Sequence, residues 1–125
     1  MNRVEILGTI ATDIRLQEFP ARDGEPRAKA SFLVAVRRPG KDQAPDWVRV
    51  ETWGRLARNL VRFNGKGSRV LVGGRLRGEF YNRDGGERGG ELRSAVVAET
   101  IAFLSQPKVQ EAEEEVPAPQ KVPRR

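Results

Sequence analysis

Apolar and polar residues alternate along most of the chain, and the period changes once. Residues 3–10 alternate loosely, with Val4 and Ile6 on one side, and predict a strand ending near Gly8. Residues 13–19 give a short irregular strand, after which Pro20, Asp23-Gly24 and Pro26 mark a loop. Residues 28–37 alternate most clearly. Ala30, Phe32, Val34 and Val36 face one way, and Lys29, Ser31, Leu33, Ala35 and Arg37 the other. A basic loop with Pro39-Gly40 and Pro45 leads into residues 47–53, where Val48, Val50 and Thr52 oppose Trp47, Arg49, Glu51 and Trp53. Gly54 ends that strand. Leu56, Leu60 and Phe63 then recur at helical spacing, with Arg55, Arg58 and Arg62 on another face, and Asn64-Gly65-Lys66-Gly67 stops the helix. Residues 69–81 return to period two. Val70, Val72, Leu76 and Phe80 hold one parity; Arg69, Leu71, Arg75, Arg77 and Tyr81 hold the other. Gly73-Gly74 and Gly78 predict coiling or a bulge there. Residues 82–90 form a long hairpin tip, residues 92–98 the final strand, and residues 99–104 either continue it or close the fold.

Five short coiled strands with one helix between the third and fourth is the order of the OB-fold, a small barrel whose end the helix plugs. The fold class is therefore all-β. Residues 1–106 form the domain. From Pro107 onward the chain is proline-rich, has an acidic run at Glu111, Glu113, Glu114 and Glu115, and carries no aromatic residue, so residues 107–125 read as a disordered tail.

Charge sharpens this picture. The chain of 125 residues has a formal net charge of +6 and a pI near 10.5. In the tail the four glutamates balance Lys108, Lys121, Arg124 and Arg125, so the folded part carries the whole excess. A basic domain favours an anionic partner, nucleic acid before membrane. With no cysteine and no histidine the chain has no disulfide, no thiolate or imidazole metal site and no Ser-His-Asp triad. Residues 65–68 lack the glycine and Lys-Ser/Thr pair of a P-loop. Arg77-Gly78-Glu79-Phe80-Tyr81 lacks the rest of an RNA-recognition signature. No enzyme, cofactor or metal is expected. The polar amino terminus and the lack of a long apolar run predict a soluble, cytoplasmic protein.

Aromatics interleaved with arginines on an exposed strand face suit single-stranded nucleic acid. Every base has a π-face, and neighbouring cations neutralise phosphates. Trp47 and Trp53, about 20 Å apart along an extended strand, and Tyr81 are the candidate platforms. Arg49, Arg55, Lys66, Arg75 and Arg77 are the candidate phosphate contacts. The competing reading buries Trp47 and Trp53 in the core, treats Arg55, Arg58 and Arg62 as a solvated helix face, and treats Arg83 and Arg88 as ordinary loop charges. Phe32 and Phe80, on the apolar parity of their strands, are read as core.

These residues resemble bacterial single-stranded DNA-binding proteins. The resemblance is carried by Met1-Asn2-Arg3-Val4-Glu5-Ile6-Leu7-Gly8, Ala30-Ser31-Phe32-Leu33-Val34-Ala35-Val36, Asp46-Trp47-Val48-Arg49-Val50-Glu51-Thr52-Trp53-Gly54-Arg55-Leu56-Ala57, residues 66–77 and residues 96–104, in order and with matching loops. It implies a homotetrameric OB-fold that wraps single-stranded DNA without sequence preference in replication, recombination and repair. It also implies stacking by Trp47, Trp53 and Tyr81, and phosphate contacts near Arg49, Arg55, Lys66 and Arg77. Two departures stand out. The loop Arg37-Arg38-Pro39-Gly40-Lys41 has no ring where the family often has one, so contact there, through Arg37, is electrostatic. The chain ends Lys121-Val122-Pro123-Arg124-Arg125 rather than in an acidic, apolar-tipped end, so recruitment of replication or repair proteins through such a tip does not carry over. That ending suits a plasmid, phage or specialised member, or a shortened chain. A primosome-type interaction module of the same fold and an RNA-binding OB protein are the alternatives.

Overall fold

The computed structural model describes residues 1–21, 23–40, 44–62, 65–82 and 90–105. Its elements are β1 (Val4–Ile10), β2 (Arg15–Phe19), β3 (Arg27–Val36), β4 (Asp46–Trp53), α1 (Arg55–Arg62), β5 (Arg69–Tyr81) and β6 (Glu91–Ser105). Phe63, the hairpin tip with Arg83 and Arg88, and the tail lie outside the described residues.

The strands close into a ring. β1 pairs with β5, β5 with β6, β6 with β4, β4 with β3, and β3 returns to β1 through Thr9↔Ala35 and Ile10↔Val34. Only the β4–β6 pair is parallel. β2 runs along β3 as β1 does, in the register Arg15↔Ser31 to Phe19↔Arg27. The first two strands are thus one bent strand laid along β3. The break between them is tied by Ala11 N–H donating to Leu33 O at 2.8 Å and Leu33 N–H donating to Thr12 Oγ1 at 3.0 Å. Counted this way the barrel has the five strands that the pattern predicts.

The core follows strand parity. Ala28, Ala30, Phe32 and Val34 of β3, Val50 of β4, Val70 and Val72 of β5, and Val96 and Ala98 of β6 are buried together with Ile10. Each fully buried valine contributes on the order of 1.5–3 kcal/mol relative to exposure. The helix adds Ala57 and Leu60 to that core. It begins where Gly54, at φ 72°, turns the chain out of β4, and Arg58 N–H donates back to Gly54 O at 3.1 Å. Only glycine adopts that conformation without a Cβ penalty. Arg58 is more than a solvated face. It donates to Glu18 Oε2 at 2.7 Å and to the Pro26 carbonyl at 2.8 Å, fastening β2 and its loop to the helix.

One expectation fails. Phe80 is not core: it is 69% exposed, as is its cross-strand neighbour Leu92 at 67%, and Leu76 is exposed too. The apolar parity of β5 continues past Gly74, but β5 and β6 outrun the barrel there, and among the described residues no second layer covers that side. A Cβ on Gly90 would collide with the Phe80 ring, so this ring lies across the glycine backbone just before its partner strand.

Candidate nucleic-acid interface

Register places the odd-numbered residues of β2, β3 and β4, and those of β5 from Arg75 onward, on one face. Arg15 lies beside Ser31, Gln17 beside Lys29 and Phe19 beside Arg27. Lys29 in turn lies beside Trp53, Ser31 beside Glu51, Leu33 beside Arg49 and Ala35 beside Trp47. Across β6, Glu51 is level with Val97, and Val97 with Arg75; Arg77 pairs with Ala95 and Tyr81 with Glu91. One continuous surface therefore collects Trp47, Arg49, Trp53, Arg75, Arg77 and Tyr81. The reverse side of β4 is the core, with Val50 and Thr52 buried and Val48 packed against it. Both tryptophans are half-buried, so the reading that puts them in the core does not hold.

Trp53 is the most elaborated position. The Arg27 guanidinium sits 4.7 Å from its ring centroid and Lys29 Nζ 5.5 Å from it, and the Phe19 ring stands 5.9 Å away at 34°. Cations held against a ring face are attracted by its quadrupole. On the arm that β5 and β6 form where they outrun the barrel, Arg93 lies 4.7 Å over the Tyr81 ring, repeating the arrangement. Phe19, Arg27, Lys29 and Arg93 were not singled out from the sequence. The parity of β3 already put Lys29 on this face; Phe19 needed the β2–β3 register.

The other predicted cations divide. Arg49 and Arg75 are exposed and form no ion pair among the described residues. Arg55 opens the helix and, with Arg27, Trp53 and Arg58, lines a groove of about 710 Å3. Arg37 is exposed and extends the outer row of β3 toward the basic loop. Lys66 lies elsewhere, at the barrel end, 4.0 Å from Asp13. Asp13 lines a second groove of about 500 Å3 with Arg15, Lys29, Arg49 and Glu51, so Lys66 borders the face rather than sits on it. Arg77 is occupied: its Nη2 donates to Glu51 Oε1 at 2.7 Å, and its Nη1 reaches Glu79 Oε2 at 3.5 Å. Glu51 itself is only 5% exposed and also meets Lys29 Nζ at 3.5 Å.

Residues 1–104 match the model of the Single-strand binding protein family. The chain belongs to that family. Among curated proteins it is 32% identical over 107 residues to Single-stranded DNA-binding protein 3 of Clostridium acetobutylicum, spanning 83% of this chain and 71% of that one. It is 34% identical over 108 residues to Single-stranded DNA-binding protein A of Bacillus subtilis, spanning 83% and 59%. It is 31% identical over 115 residues to a Single-stranded DNA-binding protein of Streptococcus pneumoniae, spanning 89% and 70%. In this member of the single-strand binding family, Trp47, Trp53 and Tyr81 share one side of the barrel with Arg49 and Arg75. Among the described residues no helix is long and apolar enough to cross a membrane.

Proposed function

We propose that this protein binds and protects single-stranded DNA without sequence preference, in replication, recombination and repair, and catalyses nothing. The observation that carries the reading is the Trp53 ring framed by Arg27, Lys29 and Phe19 on the face shared with Trp47 and Tyr81. In this reading Trp47, Trp53 and Tyr81 stack bases, each contributing about 1–3 kcal/mol. Arg27, Arg49, Arg55, Arg75 and Arg37 neutralise phosphates, with Lys66 at the margin. Its substrate places it in the cytoplasm at the nucleoid. Titration with poly-dT should strongly quench tryptophan emission, duplex DNA should respond weakly, and RNA should bind less tightly. No quenching by poly-dT at low salt would sink the proposal.

Phe19 extends the Trp53 platform, and Phe19→Ala is expected to lower poly-dT affinity roughly three- to tenfold, the range of one aromatic pair. An unchanged affinity would remove Phe19 from the site. Residues 107–125 are proposed to be a disordered tail outside the interface. Because their charges cancel, deleting them should leave single-strand affinity within about twofold, as long-range attraction follows net charge. A large loss would place the tail on the DNA path.

We also propose that the protein works as a homotetramer. Two features support self-association. Leu7 and Leu71 are paired and exposed on the outside of the barrel. The first half of β1 pairs only with β5 among the described residues, leaving an edge open to another strand. Light scattering behind size exclusion should return four times the 14.0 kDa chain mass.

A further inference from the structure

The interface contains a carboxylate where an anion-binding surface has least use for one. Glu51 sits on the ligand face of β4, between Arg49 and Trp53, yet it is 5% exposed and salt-bridged on both sides. From β5, Arg77 reaches across β6 to Glu51 Oε1 at 2.7 Å. From β3, Lys29 meets Oε2 at 3.5 Å while standing over the Trp53 ring. The Arg77 pose is imperfect by its own chemistry: its Nε is buried without a hydrogen-bond partner among the described residues. The guanidinium is therefore held by the carboxylates and not by a full set of partners. A guanidinium committed to a buried carboxylate is not available to a phosphate passing above it.

We infer that Glu51 is a positioning residue that withholds Arg77 and Lys29 from the phosphates. It fixes Lys29 against Trp53 as part of the stacking platform, and it leaves the ionic contacts to the other cations of the face, Arg27, Arg49 and Arg75 foremost. This rests on the proposed single-strand binding. It makes the interface less salt-sensitive than its count of cations suggests, since a cation already neutralised releases no counterion when DNA arrives.

The experiment is the slope of log affinity against log salt for oligo-dT, read by anisotropy, with melting temperature recorded alongside. For single strands each phosphate neutralised contributes about 0.7 to that slope. Glu51→Gln should steepen the slope by about 0.7 to 1.4, as one or both cations become free to meet phosphates. Adding Arg77→Gln to that variant should take back about 0.7 of the change. A melting shift with the wild-type slope would overturn the inference, because it would leave Glu51 a purely structural group. If Glu51→Gln alone does not fold, the triple variant Glu51→Gln, Lys29→Gln, Arg77→Gln carries the same decision, since it leaves no charge at this buried spot. It should keep the wild-type slope, whereas a slope shallower by about 1.4 would mean that both cations already serve phosphates. Failure of the wild-type protein to bind oligo-dT would instead refute the binding function itself.

Discussion

Trp53→Ala should weaken oligo-dT binding by roughly ten- to hundredfold while the barrel stays folded. The ring is the stacking surface of its part of the face, and loss of one stacked base costs on the order of 1–3 kcal/mol. Removing it also releases Arg27 and Lys29 from the positions that the ring gives them. Part of the loss is therefore of arrangement, and Trp53→Phe should recover most of the affinity by keeping a π-face. Anisotropy of a labelled oligonucleotide measures the binding, and a thermal melt on the same samples separates the two readings of the residue. A half-buried surface ring should cost little stability. A drop of about 3–5 kcal/mol, the range for deleting a large core aromatic, would place Trp53 in the core and reverse the assignment of faces on β4.

The second large effect concerns stability and lies far from any ring. Gly74→Ala is expected to destabilise the domain by about 3 kcal/mol, the upper range for overpacking a close-packed interior. At roughly 4–8 °C per kcal/mol for a domain of this size, the melting temperature should fall by about 15 °C. The cause is local. β5 and β6 change register between Gly73 and Gly74, where Gly73 faces Thr100 but Gly74 faces Ala98. At that bulge a Cβ on Gly74 would collide with the Val97 carbonyl, a backbone atom that cannot rotate aside. Gly24→Ala is the control for a generic glycine effect: nothing crowds a Cβ there, although its φ of 101° carries a backbone cost. If Gly74→Ala melts within a few degrees of wild type, the strands can slide past this register and the bulge does not fix the arm.

The same bulge sets a property that one strand's sequence does not carry. Residues 92–98 are an obvious strand, but whether 99–104 continue it is undecidable from parity. In β6, Val96 and Ala98 face the core on even numbers, whereas Ile101 and Phe103 face it on odd ones. The extra residue at Glu99 switches the parity, and a pairing register is a property of two strands together. Phe80 departs from the core its parity predicts for a related reason. Its alternation with Val70 and Val72 is real, yet alternation reports only that residues share a side of a strand. Burial requires a second layer on that side, and β5 runs past the layer that covers its first half.

The site divides along the same line. That Trp47, Arg49, Glu51 and Trp53 share a face follows from the chain's own period of two, with Val50 and Thr52 buried opposite. Partners on other strands were invisible: Phe19 and Arg27 come to Trp53 only through the β2–β3–β4 register, and Arg77 comes to Glu51 only because β6 lies between their strands. Sequence by itself determined the element order, the all-β class, the basic charge of the folded part and which side of β4 carries rings, because these depend on composition and on local periodicity. Tertiary structure alone decided which cations are free and which are already neutralised, because that depends on distances of a few ångströms between residues far apart in the chain. Arg49 and Arg77 look alike in the sequence, and only the position of one buried carboxylate separates them.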